Sequence, residues 1–232
     1  MLAKPASAEA QARPAIASIY DEKPATYFAN ARNDIVAMLK TGQDAAILEL
    51  GCGAGGTGRA AMAAGKAGRY VGLELNEEAA AIAAEALTDV VVGDVQCVDL
   101  APYRGQFDAL IVSEVLEHLT DPWDTLQRLT TCLRPGAQVF ASSPNISYWK
   151  VVWNLILGRF RYQEAGVMDK THLRWFTPES FRQLFESAGV EVETIRPMRE
   201  PGWKGRFFNA LTRDRFAHLF MAQMLVIGRR KS

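Results

Sequence analysis

The 232-residue sequence predicts an α/β protein built on an open, doubly wound, mostly parallel sheet. Three observations lead there. Apolar runs of strand length alternate with helical stretches along most of the chain. One run, Ile47-Leu-Glu-Leu-Gly-Cys-Gly-Ala-Gly-Gly-Thr-Gly58, ends on an acid and enters a turn with five glycines in eight residues. Another, Phe107–Ser113, is nearly all apolar, as a central parallel strand covered on both faces must be.

Each element has its local reason. Pro24 to Lys40 reads as an amphipathic helix with Tyr27, Phe28, Ile35, Val36 and Leu39 on its apolar side. Ala45–Leu50 is the first strand, and Gly56–Ala64 is the helix after the glycine turn. Tyr70–Leu75 is the second strand, followed by an Ala- and Glu-rich helix over Glu77–Leu87. Val90–Val92 is a short third strand, ended by Gly93-Asp94, and Phe107–Ser113 is the fourth. A helix over Trp123–Leu133 is stopped by Arg134-Pro-Gly136, and Gln138–Ser143 is the fifth strand. From Pro144 to Phe176 the chain turns aromatic and basic without a clear period. Thr177-Pro-Glu-Ser180 then starts a helix with proline in its first turn, running over Glu179–Ala188 to Gly189. Val190–Ile195, a helix near Arg206–Phe216 and a last strand over Met221–Ile227 complete the chain. Residues 1–23 are expected to be a flexible lead-in without a secretory apolar segment. Residues 24–232 form one domain with a lid-like insertion at about 144–177.

Composition narrows the function classes. Lys and Arg balance Asp and Glu at 26 each, but unevenly: residues 1–149 carry 11 basic against 18 acidic side chains, and residues 150–232 carry 15 against 8. A basic, aromatic C-terminal part suits an anionic substrate or surface, or is a solvated face. Without a dense basic stripe, nucleic acid is an unlikely partner. Cys52, Cys97 and Cys132 lack metal or disulfide spacing, which fits a reduced, cytoplasmic protein. No apolar run is long enough to span a bilayer.

The glycine loop binds a nucleotide-type cofactor in either of two readings. Gly51-x-Gly53-x-x-Gly56 with Glu74 after the second strand fits a dinucleotide. Against NAD stand Glu49 at the strand end, where a cationic ammonium wants a carboxylate, a second acid at Asp94, and a chain too short for a dinucleotide fold plus a substrate domain. S-adenosylmethionine carries an ammonium, a ribose diol and an adenine amine, each of which wants an acceptor. In these residues the chain resembles the class I S-adenosylmethionine-dependent methyltransferases over about residues 25–230. The resemblance implies a Rossmann-like, seven-stranded sheet with an antiparallel last strand and an insertion after strand five. It also implies that Glu49 and the Gly51, Cys52, Gly53 and Gly55 backbone hold the methionine part. Glu74 and Leu75 take the ribose, Asp94 and Val95 the adenine, and Ser113 lies under the methionine end.

The chemistry is expected just after strand four, in Ser113-Glu-Val-Leu-Glu-His-Leu119. On a helix Glu114, Glu117 and His118 share one face, suited to a divalent cation or to an acid/base pair. His172 lies in the insertion. Glu114, Glu117, His118 and His172 are therefore the candidate metal ligands for Mg²⁺ or Mn²⁺, and His118, His172 and Glu117 the candidate catalytic residues. This arrangement resembles ubiquinone-biosynthesis O-methyltransferases, which have Thr-His at the matching place (here Thr171-His172). It also resembles small-RNA 2′-O-methyltransferases, with their Pro-Asn after strand five (here Pro144-Asn145). The most extended resemblance is to bacterial methyltransferases associated with polysaccharide synthesis, through Glu117–Trp123, Gly158–Tyr162 and Asp169–Thr177. It implies O-methylation of a hydroxyl on a glycan-type or other small, anionic acceptor. A catechol or quinone-precursor O-methyltransferase and a non-catalytic S-adenosylmethionine-binding partner protein are the alternatives. Ile146–Tyr162, rich in Trp and Leu with interleaved Lys150, Arg159 and Arg161, reads as a lid, as a segment in peripheral contact with a membrane, or as a core helix.

Overall fold

The structure, a computed structural model, describes residues 30–232. The expectations for residues 1–29 lie outside the described residues. Seven strands form one sheet: β1 (Ala46–Leu50), β2 (Arg69–Glu74), β3 (Asp89–Val92), β4 (Phe107–Ser113), β5 (Leu133–Pro144), β6 (Val190–Pro197) and β7 (Gln223–Arg230). Their order across the sheet is β3-β2-β1-β4-β5-β7-β6. β1 to β5 pair in parallel, and β7 runs antiparallel between β5 and β6. This is the expected sheet, with its last strand reversed.

The helices are α1 (Asn33–Met38), α2 (Gly56–Ala63), α3 (Glu77–Ala84), α4 (Pro122–Thr131), α5 (Trp149–Ile156), α6 (Pro178–Ser187) and α7 (Trp203–Leu211). Side chains alternate along each strand, so the sheet buries one set on each face. Leu48 and Leu50 of β1 and Leu110 and Val112 of β4 pack with Leu126 and Leu129 of α4 and Phe181, Leu184 and Phe185 of α6. On the other face, Ile47, Ala109, Ile111 and Phe140 meet Ile35 and Val36 of α1, Ala61 of α2 and Ala83 of α3. Apolar area removed from water on both faces, at about 25 cal/mol per Å², is the main favourable term. Side chains cap three helix starts, and the last of them is the Thr177 start expected from the sequence. Asn76 accepts from the Ala79 N–H, Asp121 from Asp124, and Thr177 from Ser180 in a capping box.

The late helix lies at Trp203–Leu211 and the last strand at Gln223–Arg230, each shifted a few residues from expectation, and two further elements differ more. The helix expected over residues 24–40 is, within the described residues, only Asn33–Met38. β5 begins at Leu133, so Arg134-Pro-Gly136, expected to separate a helix from a strand, is the irregular start of the strand itself. Its register with β4 shifts between Phe107 and Ala109, which absorbs the proline without a central ladder bond.

Candidate active site

The C-terminal ends of the parallel strands open onto a cavity of about 340 Å³. Open α/β sheets hold their ligands at this edge, where the strand order reverses between β1 and β4. Glu49, Gly51, Cys52, Gly53, Glu74, Leu75, Asp94, Val95 and Ser113 all line it. Gly55 does not; it sits at the N-cap of α2 in a left-handed conformation. Gly51 has φ +72°, and a Cβ there would lie 2.6 Å from the Val115 side chain, so the turn admits no larger residue without rearrangement.

The acids of this cavity are held, not free. Glu49 accepts a 2.8 Å bond from the Tyr70 hydroxyl. Burial pushes its carboxyl up to about 7, against the opposing pull of the Tyr70 and Thr57 hydroxyls and the Arg32 charge. Glu74 accepts from the Gly53 N–H at 2.8 Å and the Asn76 N–H at 2.9 Å, tying the glycine turn to the end of β2. Burial also raises its pKa. Asp94 accepts from the Gln96 N–H at 2.9 Å.

Several lining residues have no signal in the sequence. Arg32 Nη1 donates to the Ser113 and Ser142 hydroxyls, each at 2.9 Å, and its other edge meets Asp34 at 2.9 Å. It brings a guanidinium to the Ser113 end of an otherwise acidic cavity. Thr57, Gln96 and Met198 also line it. No strand-end motif marks them; Arg32 lies 81 residues from Ser113.

The expected chemical group assembles with one correction. Glu114, Glu117 and His118 do not share a helix face. Glu114 has φ +55°, outside any helix, and only Leu116–His118 form a 3₁₀ turn. The side chain of Glu114 accepts from Gln223 Nε2 at 2.9 Å. Glu117, His118 and His172 instead come together, all buried, with their ligand atoms within 4.8 Å of one another. Glu114 is not in that group.

Neither carboxylate oxygen of Glu117 nor the Ser143 hydroxyl has a partner of normal hydrogen-bond geometry among the described residues, although Ser143 is close enough to draw the Glu117 pKa down. Burial first, and the charge of Glu114 second, hold Glu117 well above the usual carboxylate range. A buried carboxylate beside two imidazoles is a donor set that fits a divalent cation with open positions.

The imidazoles are oriented from behind. His118 Nδ1 lies 3.2 Å from both the carbonyl and the hydroxyl of Thr171. The Thr171 hydroxyl in turn donates to Asp169 at 2.8 Å. An Nδ1–H given to these acceptors leaves the lone pair on Nε2. His172 Nδ1 lies 3.3 Å from the Val167 carbonyl, and the two rings stand 4.8 Å apart. The N–H groups of Leu173 and Arg174 donate to the Glu117 carbonyl at 2.8 and 3.0 Å, which fastens the insertion to the turn after β4. Asn145 is not a ligand. Its amide is used up on the His218 and Met221 carbonyls and on Ser147, so the resemblance to RNA methyltransferases at Pro144-Asn145 is structural here.

Known proteins resemble this chain in sequence and fold. A methyltransferase-domain family profile matches residues 21–195. A ubiquinone biosynthesis O-methyltransferase of Aromatoleum aromaticum is 26% identical over 161 residues, which cover 66% of each chain. The match thus spans just under two thirds of that relative's length. Among solved structures, the putative methyltransferase complexed with the Trm112 activator of Haloferax volcanii superposes with a TM-score of 0.65 at 17% identity, covering 96% of this chain and all of that one. An S-adenosylmethionine-dependent methyltransferase of Archaeoglobus fulgidus gives 0.62 at 18%, covering 92% and 99%. At such identities the structures speak for the fold, and the family match speaks for descent. The chain belongs to the methyltransferase-domain family and has the fold of the S-adenosylmethionine-dependent methyltransferases.

Proposed function

We propose that the protein transfers the methyl group of S-adenosylmethionine to a hydroxyl of a glycan-type or other small acceptor. The observation that carries this reading is the buried Glu117–His118–His172 group, with His118 reaching the wall of the cofactor cavity. A hydroxyl must shed its proton as the methyl arrives, and an imidazole is the side chain suited to take it.

In this reading Glu49 meets the ammonium of the cofactor and Arg32 its carboxylate. Glu74 meets the ribose hydroxyls and Asp94 the adenine amine. Ser113 closes the methionine end. The methyl passes in line from sulfur to oxygen, S-adenosylhomocysteine leaves, and the proton goes to His118 Nε2. Asp169 and Thr171 keep His118 in the tautomer that can accept it. Because the sulfonium already activates the methyl, alignment supplies much of the rate. In the alternative, metal-assisted route Glu117, His118 and His172 would hold Mg²⁺ or Mn²⁺, which would acidify the acceptor hydroxyl, and His118 Nε2 would then serve as a ligand in place of the base.

A second reading has its own support. The first relatives act in ubiquinone biosynthesis by name. A second cavity beside the site is lined by Tyr148, Trp149, Trp203 and Phe220, which suits a catechol ring.

The test is calorimetric titration with S-adenosylhomocysteine, with and without Mg²⁺ or Mn²⁺, and repeated with NAD. It is followed by methyl-transfer assays on polyhydroxylated sugars and on catechols. Binding of the homocysteine product without an NAD signal supports the cofactor. A metal response that His118→Ala abolishes supports the metal-assisted route. No binding of the product overturns the reading.

A further inference from the structure

Two short helices turn their apolar side to solvent. In α5, Trp149, Trp153 and Ile156 follow helical spacing and are 45, 56 and 68% exposed; Val151 is its only buried residue. In α7, Trp203, Phe207 and Leu211 recur every fourth residue and are 74, 68 and 71% exposed. A surface helix ordinarily hides this stripe, so a stripe facing out marks a surface that meets something apolar.

The two helices border one cavity of about 550 Å³, which has Trp149 on one wall and Trp203 on the other. The first residue of each stripe therefore lies at one shared opening. Gln223 lines this cavity and also holds Glu114, a wall residue of the cofactor cavity. The side with the outward stripes is thus the side from which an acceptor approaches.

Charge selects the occupant. Trp149 to Tyr162 contains Lys150, Arg159 and Arg161 and no acid. Around the α7 stripe the sequence has Arg206, Arg213 and Arg215 against Asp214, and Arg199 and Glu200 both line the cavity. All seven of these basic residues are exposed. Exposed tryptophans with flanking arginines and lysines suit the boundary between lipid headgroups and acyl chains, where rings bury and cations meet phosphates. A second copy of the chain would set these cations against one another across a two-fold interface. No helix of the described residues is long and apolar enough to cross a membrane, so the contact is peripheral.

We propose that the outward faces of α5 and α7, with the cavity between them, dock on an anionic lipid bilayer. The inference stands on surface chemistry and is independent of the cofactor and acceptor assignments. It is tested by co-sedimentation of the full chain with phosphatidylcholine vesicles, with and without phosphatidylglycerol. The expected result is pelleting with the anionic vesicles alone, weakened by salt. The pairs Trp153→Ser with Ile156→Ser and Trp203→Ser with Phe207→Ser should each lower partitioning about tenfold or more while leaving the melting curve and S-adenosylhomocysteine binding in place. Quenching of the parent protein's tryptophan fluorescence by brominated lipids tests insertion without any substitution. Four results would overturn the proposal: no pelleting by the parent, equal pelleting on neutral vesicles, abolition by inorganic phosphate with no effect of the serine pairs, or self-association through these helices in place of lipid binding.

Discussion

The cofactor half and the acceptor side of this molecule use apolar side chains in opposite ways. In β1 to β4 and their helices, aliphatic residues point inward, and the site is made from backbone turns and the acids that follow each strand. In α5 and α7, the largest aromatic residues point outward, and the cavity between them is walled by tryptophans. The first arrangement suits a ligand that is always the same. Fixed strand ends present fixed acceptors, and tight packing on both faces keeps them from shifting. The second suits a ligand that varies among related enzymes, because a surface helix can be repacked without disturbing the sheet. What divides the two is whether a residue's energy is realised in folding or kept for an encounter.

Substitutions can break or sharpen this contrast. The largest effect is expected at the seam. His118→Ala should lower kcat/KM by about 10²- to 10⁴-fold and leave calorimetric affinity for S-adenosylhomocysteine nearly unchanged. A parallel loss of cofactor affinity would mean that the two halves are one energetic unit. Next come the inward and outward aromatics. Phe181→Ala, deep between α6 and the sheet, should cost about 3–5 kcal/mol of stability by denaturant melts. Trp153→Ala, on the exposed stripe, should cost under about 0.5 kcal/mol; a cost like that of Phe181 would place α5 in the fold, not at an interface.

Glu74→Ala should weaken cofactor affinity by about 1–3 kcal/mol, since it strands the Gly53 N–H and, in the proposed reading, the ribose hydroxyls. The smallest effect is a slope in pH. Burial holds the Glu49 carboxyl at about 7, and in the proposed reading its charged form is the one that would meet the cofactor ammonium. Affinity for S-adenosylhomocysteine should fall as pH drops through about 7, and this dependence should vanish in Glu49→Gln. The sign for stability is the reverse. A carboxyl raised by folding contributes stability that is present below its unfolded value, 4.5, and is lost as pH rises through about 7. Stability and affinity measured on the same samples should therefore cross.

The same division explains how much could be read from sequence. Glu49, Gly51, Glu74, Asp94 and Ser113 were legible because each stands at a strand's end, and strand ends are set by local hydrophobic runs and the glycines after them. Arg32 was not, since its place beside Ser113 and Ser142 depends on how α1 crosses the sheet, which no local pattern encodes. Glu114 leaves the group because the backbone takes a left-handed residue before a single 3₁₀ turn, where helical spacing predicts a shared face. His118 and His172 were identifiable as residue types. Their meeting depends on long-range bonds from Leu173 and Arg174 back to Glu117, and the supporting pair Asp169 and Thr171 is visible only with those bonds in place. The β5 boundary failed for a local reason: Arg-Pro-Gly reads as a stop, and the sheet accommodated it as an irregular strand start.

The contact between His118 and Thr171 joins positions 53 residues apart. The lining from Glu49 to Leu119 needs only β1 to β4 and their crossovers, whereas the imidazole pair also needs the chain that follows, as far as His172. Earlier parts of a chain become available to fold first during synthesis. A maturing chain would therefore complete most of this cavity wall before the imidazole pair, and the order of these two events is written in the order of its residues.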